Sequence, residues 1–458
     1  MLQKGPHVFF EFDFFKKSLS WDDVYFLLNF MKFENLTPYT FNPKLEAITQ
    51  DEFLPIITPH IELHSQHIYE TAYASIGLPY DDTFIQESTN LAKKYQNSQA
   101  MLLIGIGGSN LWTLAIHEAL WGNLENKKQL FSLDTPDVRD YKKIHKELTH
   151  ILEKGEQICI TVISKSGTTT ETIALFETAY NDFYKKYPLQ CGIVAITDEW
   201  SKLYYLGQSE WWDILTLPKN VGGRYSVFSN VGLFPLAFLE YNIQELIAWA
   251  RSALDDFIQE PLVSPAYKNA SVLYTGYTEE SRNICEHFFF GKSYENIGKW
   301  YRQLLAESIG KKSEWNESIG ITPTTSIGTI DLHSVGQLDL AHGKDRTLVL
   351  VFPENGSPLY TPKEWSFPSL VENIRGISFE HIQYAAFEGT RRALLEKHIP
   401  TMTYTLQDDS IEDIGAFLQT KMIEVILLGH FFSVNPFDQP NVEDYKTGMR
   451  DVLAKWTL

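Results

Sequence analysis

A strand-to-helix junction in the segment QICITVISKSGTTTET concentrates polar side chains at a single turn. The polar residues before the helix are Ser164, Lys165, Ser166, Thr168, Thr169 and Thr170. Hydroxyl groups, one lysine and the free N–H groups of a helix N-terminus together suit a bound phosphate. A capping box between Thr168 and Glu171 is the structural alternative, but it accounts for only one hydroxyl. The junction therefore predicts a phosphate-binding loop.

A second strand-to-helix junction is rich in glycine. The strand AMLLIGIG runs into Gly105, Gly107 and Gly108, which are followed by Ser109 and Asn110. Such glycines let the backbone approach an anion at a helix N-terminus. The last glycine of a dinucleotide fingerprint is missing, and no lysine follows to make a P-loop. Taken alone, this turn fits anion binding and a plain tight connection equally well.

Four single ionisable residues lie in segments that could carry catalysis, and each has a structural alternative. Arg224 follows two glycines in NVGGRYSVFSN, where an arginine either forms a structural ion pair or stabilises an oxyanion. Glu307 ends an amphipathic helix in QLLAESIGKK, a position where glutamate is usually solvated. His333 in GTIDLHSVGQLD and Lys446 in NPFDQPNVEDYKTG indicate little individually.

No metal site is predicted. His60, His64 and His67 have helical spacing, but no carboxylate pattern such as H-E-x-x-H accompanies them.

The elements that must position these residues alternate between short apolar runs and helical periodicities. Between residues 100 and 200 the order is βαβαβαβ. Runs that are apolar throughout indicate strands buried on both faces, so we predict a doubly wound parallel sheet. Both polar junctions then lie at the carboxyl ends of adjacent strands, where open α/β sheets bind ligands. A second α/β series is expected from strands in SVLYTGY near 271, TLVLVFP near 347 and PTMTYTL near 400.

Composition limits the class of protein. The 458 residues carry 39 Lys+Arg against 58 Asp+Glu, a net charge of −19, which argues against a nucleic-acid or anionic-membrane surface. Cys159, Cys191 and Cys285 form no C-x-x-C pattern, so neither disulfides nor a zinc site is expected. No apolar run reaches the roughly 20 residues that span a bilayer, and no secretion signal is recognised. These features predict a reduced, soluble, cytoplasmic protein.

Six motifs follow one another in a characteristic order: GIGGS, SKSGTTTET, VGGRYS, AES-x-GK, DLHSVGQ, and FDQ with a lysine seven residues after the glutamine. In this order the chain resembles the glucose-6-phosphate isomerase (phosphoglucose isomerase) family over roughly residues 100–450. The resemblance implies an α/β fold with two sugar-isomerase subdomains, each an αβα sandwich around a doubly wound parallel sheet. The segments it implies are a helical N-terminal segment at 1–60, a first subdomain with the phosphate loop at 61–260, a second subdomain with Glu307 and His333 at 261–435, and a C-terminal helix with Lys446 at 436–458.

The resemblance also implies a reaction, the reversible isomerisation of D-glucose 6-phosphate and D-fructose 6-phosphate without a cofactor or metal. Glu307 matches the general base that moves a proton between C2 and C1 through a cis-enediol(ate), and Gly223 and Arg224 match the segment that stabilises its charge. His333 and Lys446 match the pair that opens the sugar ring. The implied substrate contacts are Gly108, Ser109, Ser164, Lys165, Ser166, Thr169, Gln303 and Gln439.

The family implies a homodimer in which His333 is contributed across the interface. The chain departs from the family pattern at Ile309 in ESIGK and at Asn110-Leu111-Trp112 after GIGGS.

Two other functions are compatible with a sugar-isomerase domain. One is isomerisation of a pentose or amino-sugar phosphate, although such enzymes usually have a single domain and need no VGGRYS, AES-x-GK and late Lys446 together. The other is a sensor that binds fructose 6-phosphate and regulates a partner. A sensor needs the phosphate loop but no base, so the presence of four further residues argues against it: Glu307, Arg224, His333 and Lys446.

Overall fold

The computed structural model describes residues 26–27, 31–36, 42–62, 69–120, 128–354, 359–371, 373–407 and 410–456. The strands in these ranges are β1 Phe26–Leu27, β2 Lys32–Asn35, β3 Ser98–Ile104, β4 Gln129–Leu133, β5 Gln157–Ile163, β6 Cys191–Thr197, β7 Asp213–Thr216, β8 Ile284–Phe289, β9 Lys311–Lys312, β10 Ser318–Ile319, β11 Thr322–Ile327, β12 Arg346–Pro353 and β13 Thr401–Leu406.

The α-helices in the same ranges are α1 Pro43–Ala47, α2 Leu54–Glu62, α3 Asp82–Lys94, α4 Leu111–Leu120, α5 Val138–Glu153, α6 Thr170–Ala179, α7 Lys202–Ser209, α8 Asn230–Phe238, α9 Ile243–Gln259, α10 Pro265–Glu279, α11 Glu295–Ile309, α12 Gly336–His342, α13 Phe379–Glu396, α14 Ile411–Phe431 and α15 Val442–Trp456. A π-helical turn, Ile48–Phe53, joins α1 to α2.

The first sheet is fully parallel, with the strand order β4-β3-β5-β6-β7. Nearly every residue of β3 and β5 is buried, because helices cover both faces of the sheet. The chain leaves β3 in one direction to form β4 and then returns past it to form β5. The carboxyl ends of β3 and β5 therefore flank the switch point of the sheet, where α/β proteins bind ligands.

The second sheet repeats this topology. Its parallel strands have the order β11-β8-β12-β13, so its first strand in the chain again lies between the second and the third. The predicted α/β fold with two doubly wound sheets is thus confirmed. Beyond β13 the sheet continues with β2, which is antiparallel to β13, and then with β1, which is antiparallel to β2.

Two details differ from the sequence-based expectation. The segment SVLYTGY belongs to helix α10, which Ser264 caps by accepting from the N–H of Tyr267. The strand in this region is β8, whose apolar run is interrupted by Glu286 and His287, and Glu286 is neutralised by an ion pair with Arg346 (3.0 Å). Within the segment predicted to be helical, 1–60, the described residues include strand β2 as well as helices, and residues before Phe26 lie outside the described ranges.

Helix α14 packs against helices that precede and follow the strand β8, the first of the parallel strands of the second sheet. It packs against α9, α10 and α11, and almost all of its residues are buried. By length and composition α14 could cross a membrane. The sequence-based search for apolar runs did not predict such a helix. Its most apolar window is 94% buried inside the protein, as in a core helix. One hydrophobic cluster also includes side chains from both sheets, such as Leu103 and Val351.

Candidate active site

The two glycine-containing motifs meet at the backbone. A Cβ atom on Gly108 would lie 2.2 Å from both the carbonyl carbon and the oxygen of Gly223, so only glycine permits this approach. The indole of Trp112 donates a hydrogen bond of 2.9 Å to the Gly223 carbonyl oxygen. Ser109 is half-buried at the end of the same glycine turn. Packing between the two motifs thus brings GIGGS and VGGRYS to one place.

Arg224 is buried and held by three neutral oxygen atoms. Its Nε donates to Ser308 Oγ at 2.8 Å. Its Nη2 donates to the carbonyl oxygens of Pro436 at 2.6 Å and Asp438 at 2.9 Å. The side chain is only 2% exposed, so the guanidinium is a fixed positive charge with little water around it. Its remaining nitrogen, Nη1, faces the carboxylate of Glu307 on α11.

Glu307 lies near the end of α11, with 22% of its side chain exposed. Its Oε2 is 3.5 Å from Arg224 Nη1 and accepts a hydrogen bond of 3.1 Å from Gln303 Nε2, one helical turn earlier. Gln303 also lies beside the glycine turn, since a Cβ on Gly107 would be 2.9 Å from Gln303 Nε2. The Gln303 Oε1 atom is buried and has no hydrogen-bond partner within the described residues. The Glu307 carboxylate therefore lies between the Arg224 guanidinium and the Gln303 amide nitrogen.

The hydroxyl-rich loop leaves the N-terminus of α6 open. The N-cap residue is Thr169, which makes no side-chain capping bond, so the expected alternative of a Thr168 capping box is wrong. The Thr169 hydroxyl instead accepts from Ser164 Oγ at 3.1 Å, and Thr168 donates to Ser166 Oγ at 3.0 Å. Hydroxyl groups thus surround helical N–H groups that no side chain caps, which is a suitable environment for an anion.

A lysine of this loop and an aspartate bonded to its backbone influence each other's charge. Lys165 Nζ donates to the Val221 carbonyl oxygen at 3.0 Å, and Asp198 follows β6 with its N–H bonded to the Lys165 carbonyl at 3.1 Å. Burial raises the pKa of Asp198 to about 6, although Lys165 opposes that shift. Burial also lowers the pKa of Lys165. Asp198 is not among the residues predicted from the sequence, although a polar residue at the carboxyl end of a parallel strand, here β6, is a recognisable signal.

His333 and Lys446 lie on the surface of the chain. His333 is exposed in the 3-10 turn Ile330–His333 and makes no side-chain hydrogen bond or ion pair to any described residue. Lys446 pairs with Glu443 at 2.7 Å on α15, a helix without buried residues. Their roles remain predictions. Gln439 is exposed and directly follows Asp438, whose carbonyl binds Arg224.

His60 is occupied by structural hydrogen bonds. Its ring nitrogens contact the carbonyl of Ile56 at 3.0 Å and the hydroxyl of Thr71 at 2.6 Å. His64 and His67 lie outside the described residues. The described part of the chain contains no group of three or more His, Cys, Asp or Glu side chains that could hold a metal ion.

The family model of phosphoglucose isomerase matches residues 87–338, more than half of the chain. The chain belongs to the phosphoglucose isomerase family. The glucose-6-phosphate isomerase of Leptospira interrogans is 32% identical over 389 residues, covering 81% of this chain and 84% of that protein. The glucose-6-phosphate isomerase of Bacillus anthracis is 30% identical, with 84% of this chain and 86% of that protein covered.

Two solved structures share the fold of this chain. A hypothetical protein from Thermus thermophilus has a TM-score of 0.78 at 25% identity, and the match covers 90% of this chain and 97% of that one. A glucose-6-phosphate isomerase from Chlamydia trachomatis has a TM-score of 0.77 at 18% identity, covering 94% and 90%, which supports the fold. The family predicted from the motifs is confirmed.

The departures from the phosphoglucose isomerase pattern have structural roles. Trp112 holds the Gly223 carbonyl, and Asn110 donates to Ser132 Oγ at 3.1 Å. Ile309 is fully buried in the core. None of these side chains introduces a charge beside Glu307.

Proposed function

We propose that this chain interconverts D-glucose 6-phosphate and D-fructose 6-phosphate as an aldose–ketose isomerase. The observation that carries the proposal is the 3.5 Å approach of the buried Arg224 guanidinium to the Glu307 carboxylate at the meeting point of the two glycine motifs. A carboxylate can move a proton, and a fixed cation stabilises the anion formed when the proton leaves. Membership of the phosphoglucose isomerase family supports the choice of substrate.

In the proposed reaction Glu307 removes the proton from C2 of the open-chain aldose. The electron pair of that C–H bond forms a C1–C2 double bond, and the C1 carbonyl oxygen becomes the enediolate oxygen near Arg224. A proton passes from the C2 hydroxyl to O1, and Glu307 returns its proton to C1 as C2 becomes the carbonyl carbon. No atom or electron is gained or lost. His333 and Lys446 act earlier, by opening the sugar ring through acid–base catalysis.

Substrate binding is assigned to the two strand-to-helix junctions. The phosphate contacts the open N-terminus of α6, the backbone at Gly108, and the side chains of Ser109, Ser164, Lys165, Ser166 and Thr169. The sugar hydroxyl groups contact Gln303 and Gln439. The bond from Gln303 Nε2 to the Glu307 carboxylate supports a role for Gln303, and its buried Oε1 has no hydrogen-bond partner among the described residues.

We also propose that the enzyme is a cytoplasmic homodimer in which His333 serves the partner's active site. The exposed position of His333 in this chain supports that arrangement. Large apolar side chains between residues 359 and 379 are also exposed, including Leu359, Phe367, Leu370 and Phe379. All three cysteines are free and buried, as expected in a reducing compartment.

The test is an assay in which purified protein receives fructose 6-phosphate and a dehydrogenase reports glucose 6-phosphate, with EDTA present. We expect turnover by the wild-type chain. Glu307→Gln should lower kcat by about 10²–10⁴-fold, because proton transfer loses its base, while fructose 6-phosphate binding measured by calorimetry stays nearly unchanged. Glu314→Gln, at an exposed glutamate, is the matched control and should have wild-type kinetics.

Binding of fructose 6-phosphate by wild-type protein without turnover would instead support a sensor. Loss of binding and turnover by similar factors in Glu307→Gln would show that Glu307 is a substrate ligand or a structural residue, not the base. Absence of both in the wild type would contradict the phosphate-binding loop.

A further inference from the structure

Lys311 is a buried lysine that lies two residues after the end of α11, the helix that carries Glu307. Only 6% of its side chain is exposed. Its Nζ donates to the carbonyl oxygen of Asp438 at 2.6 Å, to Asp438 Oδ1 at 2.7 Å, and to the carbonyl oxygen of Asn435. Burial lowers the pKa of Lys311, and the nearby positive charge of Arg224 lowers it further. The three oxygen atoms offset the cost of burying the ammonium group.

The segment that Lys311 contacts is the one that holds Arg224. Residues 435–438 lie within the connection between α14 and α15 and belong to no helix or strand. Both bonds from Arg224 Nη2 go to backbone carbonyls of this segment, those of Pro436 and Asp438. The Asp438 carbonyl oxygen accepts from both cations. Lys311 therefore contacts the same segment that supplies the Arg224 acceptors, and Tyr225 also donates to the Pro436 carbonyl at 3.2 Å.

We propose that Lys311 is a positioning residue: it fixes residues 435–438 so that their carbonyls aim Arg224 Nη1 at the negative charge that develops beside Glu307. This inference rests on the proposed isomerase function. The physical reason is that a cation stabilises a transient anion efficiently only if it is already oriented before the reaction. Carbonyls on an irregular segment supply that orientation only when the segment is itself held in place.

A purely structural role for Lys311 predicts different behaviour. Loosening of the fold would lower the fraction of active protein, or weaken the binding of every ligand by the same factor. Loss of positioning should instead weaken binding of anionic mimics of the intermediate and leave phosphate binding intact. Two analogues separate the outcomes: an aldonohydroxamate phosphate that carries enediolate-like negative charge, and a linear polyol 6-phosphate that does not.

The experiment compares Lys311→Met with Lys312→Met in the full chain. Lys312 is the matched control, because it is the exposed neighbour on β9 and, among the described residues, its Nζ donates to Asn316 Oδ1 alone, at 2.9 Å. In Lys311→Met we expect kcat to fall about 10–100-fold with KM changed by less than about threefold. Affinity for the hydroxamate should fall by a similar factor, and affinity for the polyol phosphate should change by less than about threefold.

Equal losses for both analogues, or unchanged kcat, would overturn the proposal. If Lys311→Met fails to fold, Asp438→Ala replaces it, since that change keeps the backbone carbonyl that binds Arg224 and removes the side-chain acceptor of Lys311 Nζ, together with that of Asn435 Nδ2. It should weaken the hydroxamate selectively by about threefold or more, and equal effects on both analogues would again contradict positioning. Failure of the proposed function is distinguishable, because the wild-type chain itself would then show no turnover.

Discussion

Asp198 is a carboxylate next to a loop proposed to bind a dianion. One of its oxygen atoms, Oδ1, is buried without a hydrogen-bond partner among the described residues. Desolvation therefore favours the neutral acid, and the pKa rises from its ordinary value of 3.8 to about 6. Because the folded state holds this proton more tightly than the unfolded chain, the associated stability is complete below about pH 4. It is lost as the pH rises toward and through about 6.

Asp198→Asn removes this titration. We expect the melting temperature of the variant minus that of the wild type to increase between about pH 4.5 and 7, and to level off above that range. The measurement is thermal unfolding across this pH range, with Glu199→Gln as the control at the exposed neighbouring acid. A difference that does not change with pH would mean that Asp198 is not protonated in the folded state near pH 5.

Among the elements, the contact between the glycine turn after β3 and the turn at Gly223 matters most for the site. It is reinforced by the ring contact between Trp112 on α4 and Trp300 on α11, whose centroids are 4.7 Å apart. The three segments come from different parts of the chain. Their packing determines the distance between the hydroxyl-rich loop before α6 and the Glu307 carboxylate.

Gly108→Ala should break that contact. The added Cβ would lie 2.2 Å from backbone atoms of Gly223, which cannot move as a flexible side chain can. We expect destabilisation of about 1–3 kcal/mol or more and a large loss of kcat, measured by chemical unfolding and the coupled assay. Gly320→Ala is the control, since a Cβ there meets nothing within 4 Å. Wild-type stability in Gly108→Ala would show that the two turns separate easily.

For the whole molecule, the proposed exchange of His333 between subunits predicts complementation. Glu307→Gln and His333→Ala should each be nearly inactive as homodimers. When the two are unfolded together and refolded, half of the dimers are mixed, and each mixed dimer has one site with both native residues. Activity should therefore recover to about one quarter of the wild-type value in a symmetric dimer.

The control is a mixture of the two variants that is never unfolded, which should stay inactive as long as subunits do not exchange. No recovery after refolding together would mean that His333 and Glu307 act within one chain. Sedimentation of the refolded sample confirms that dimers formed.

The sequence by itself determined the parallel first sheet and the identity of the site motifs. Strands such as β3 and β5 are continuous apolar runs, because a strand covered by helices on both faces has no polar side. The hydroxyl-rich loop and the glycine turn were recognisable because each is made of adjacent residues at the end of one strand. In the second half, β8 was missed because its buried Glu286 and His287 interrupt the apolar pattern.

Only the tertiary structure decided what surrounds Arg224 and Glu307. The Arg224 bond to the Pro436 carbonyl joins residues 212 positions apart, and the Lys311 bond to Asp438 joins residues 127 apart. Backbone carbonyls are acceptors at every position, so nothing local in a sequence shows which ones will receive a buried cation. The motifs specify the groups that we propose to take part in the chemistry, and the packing of distant segments decides how those groups are oriented.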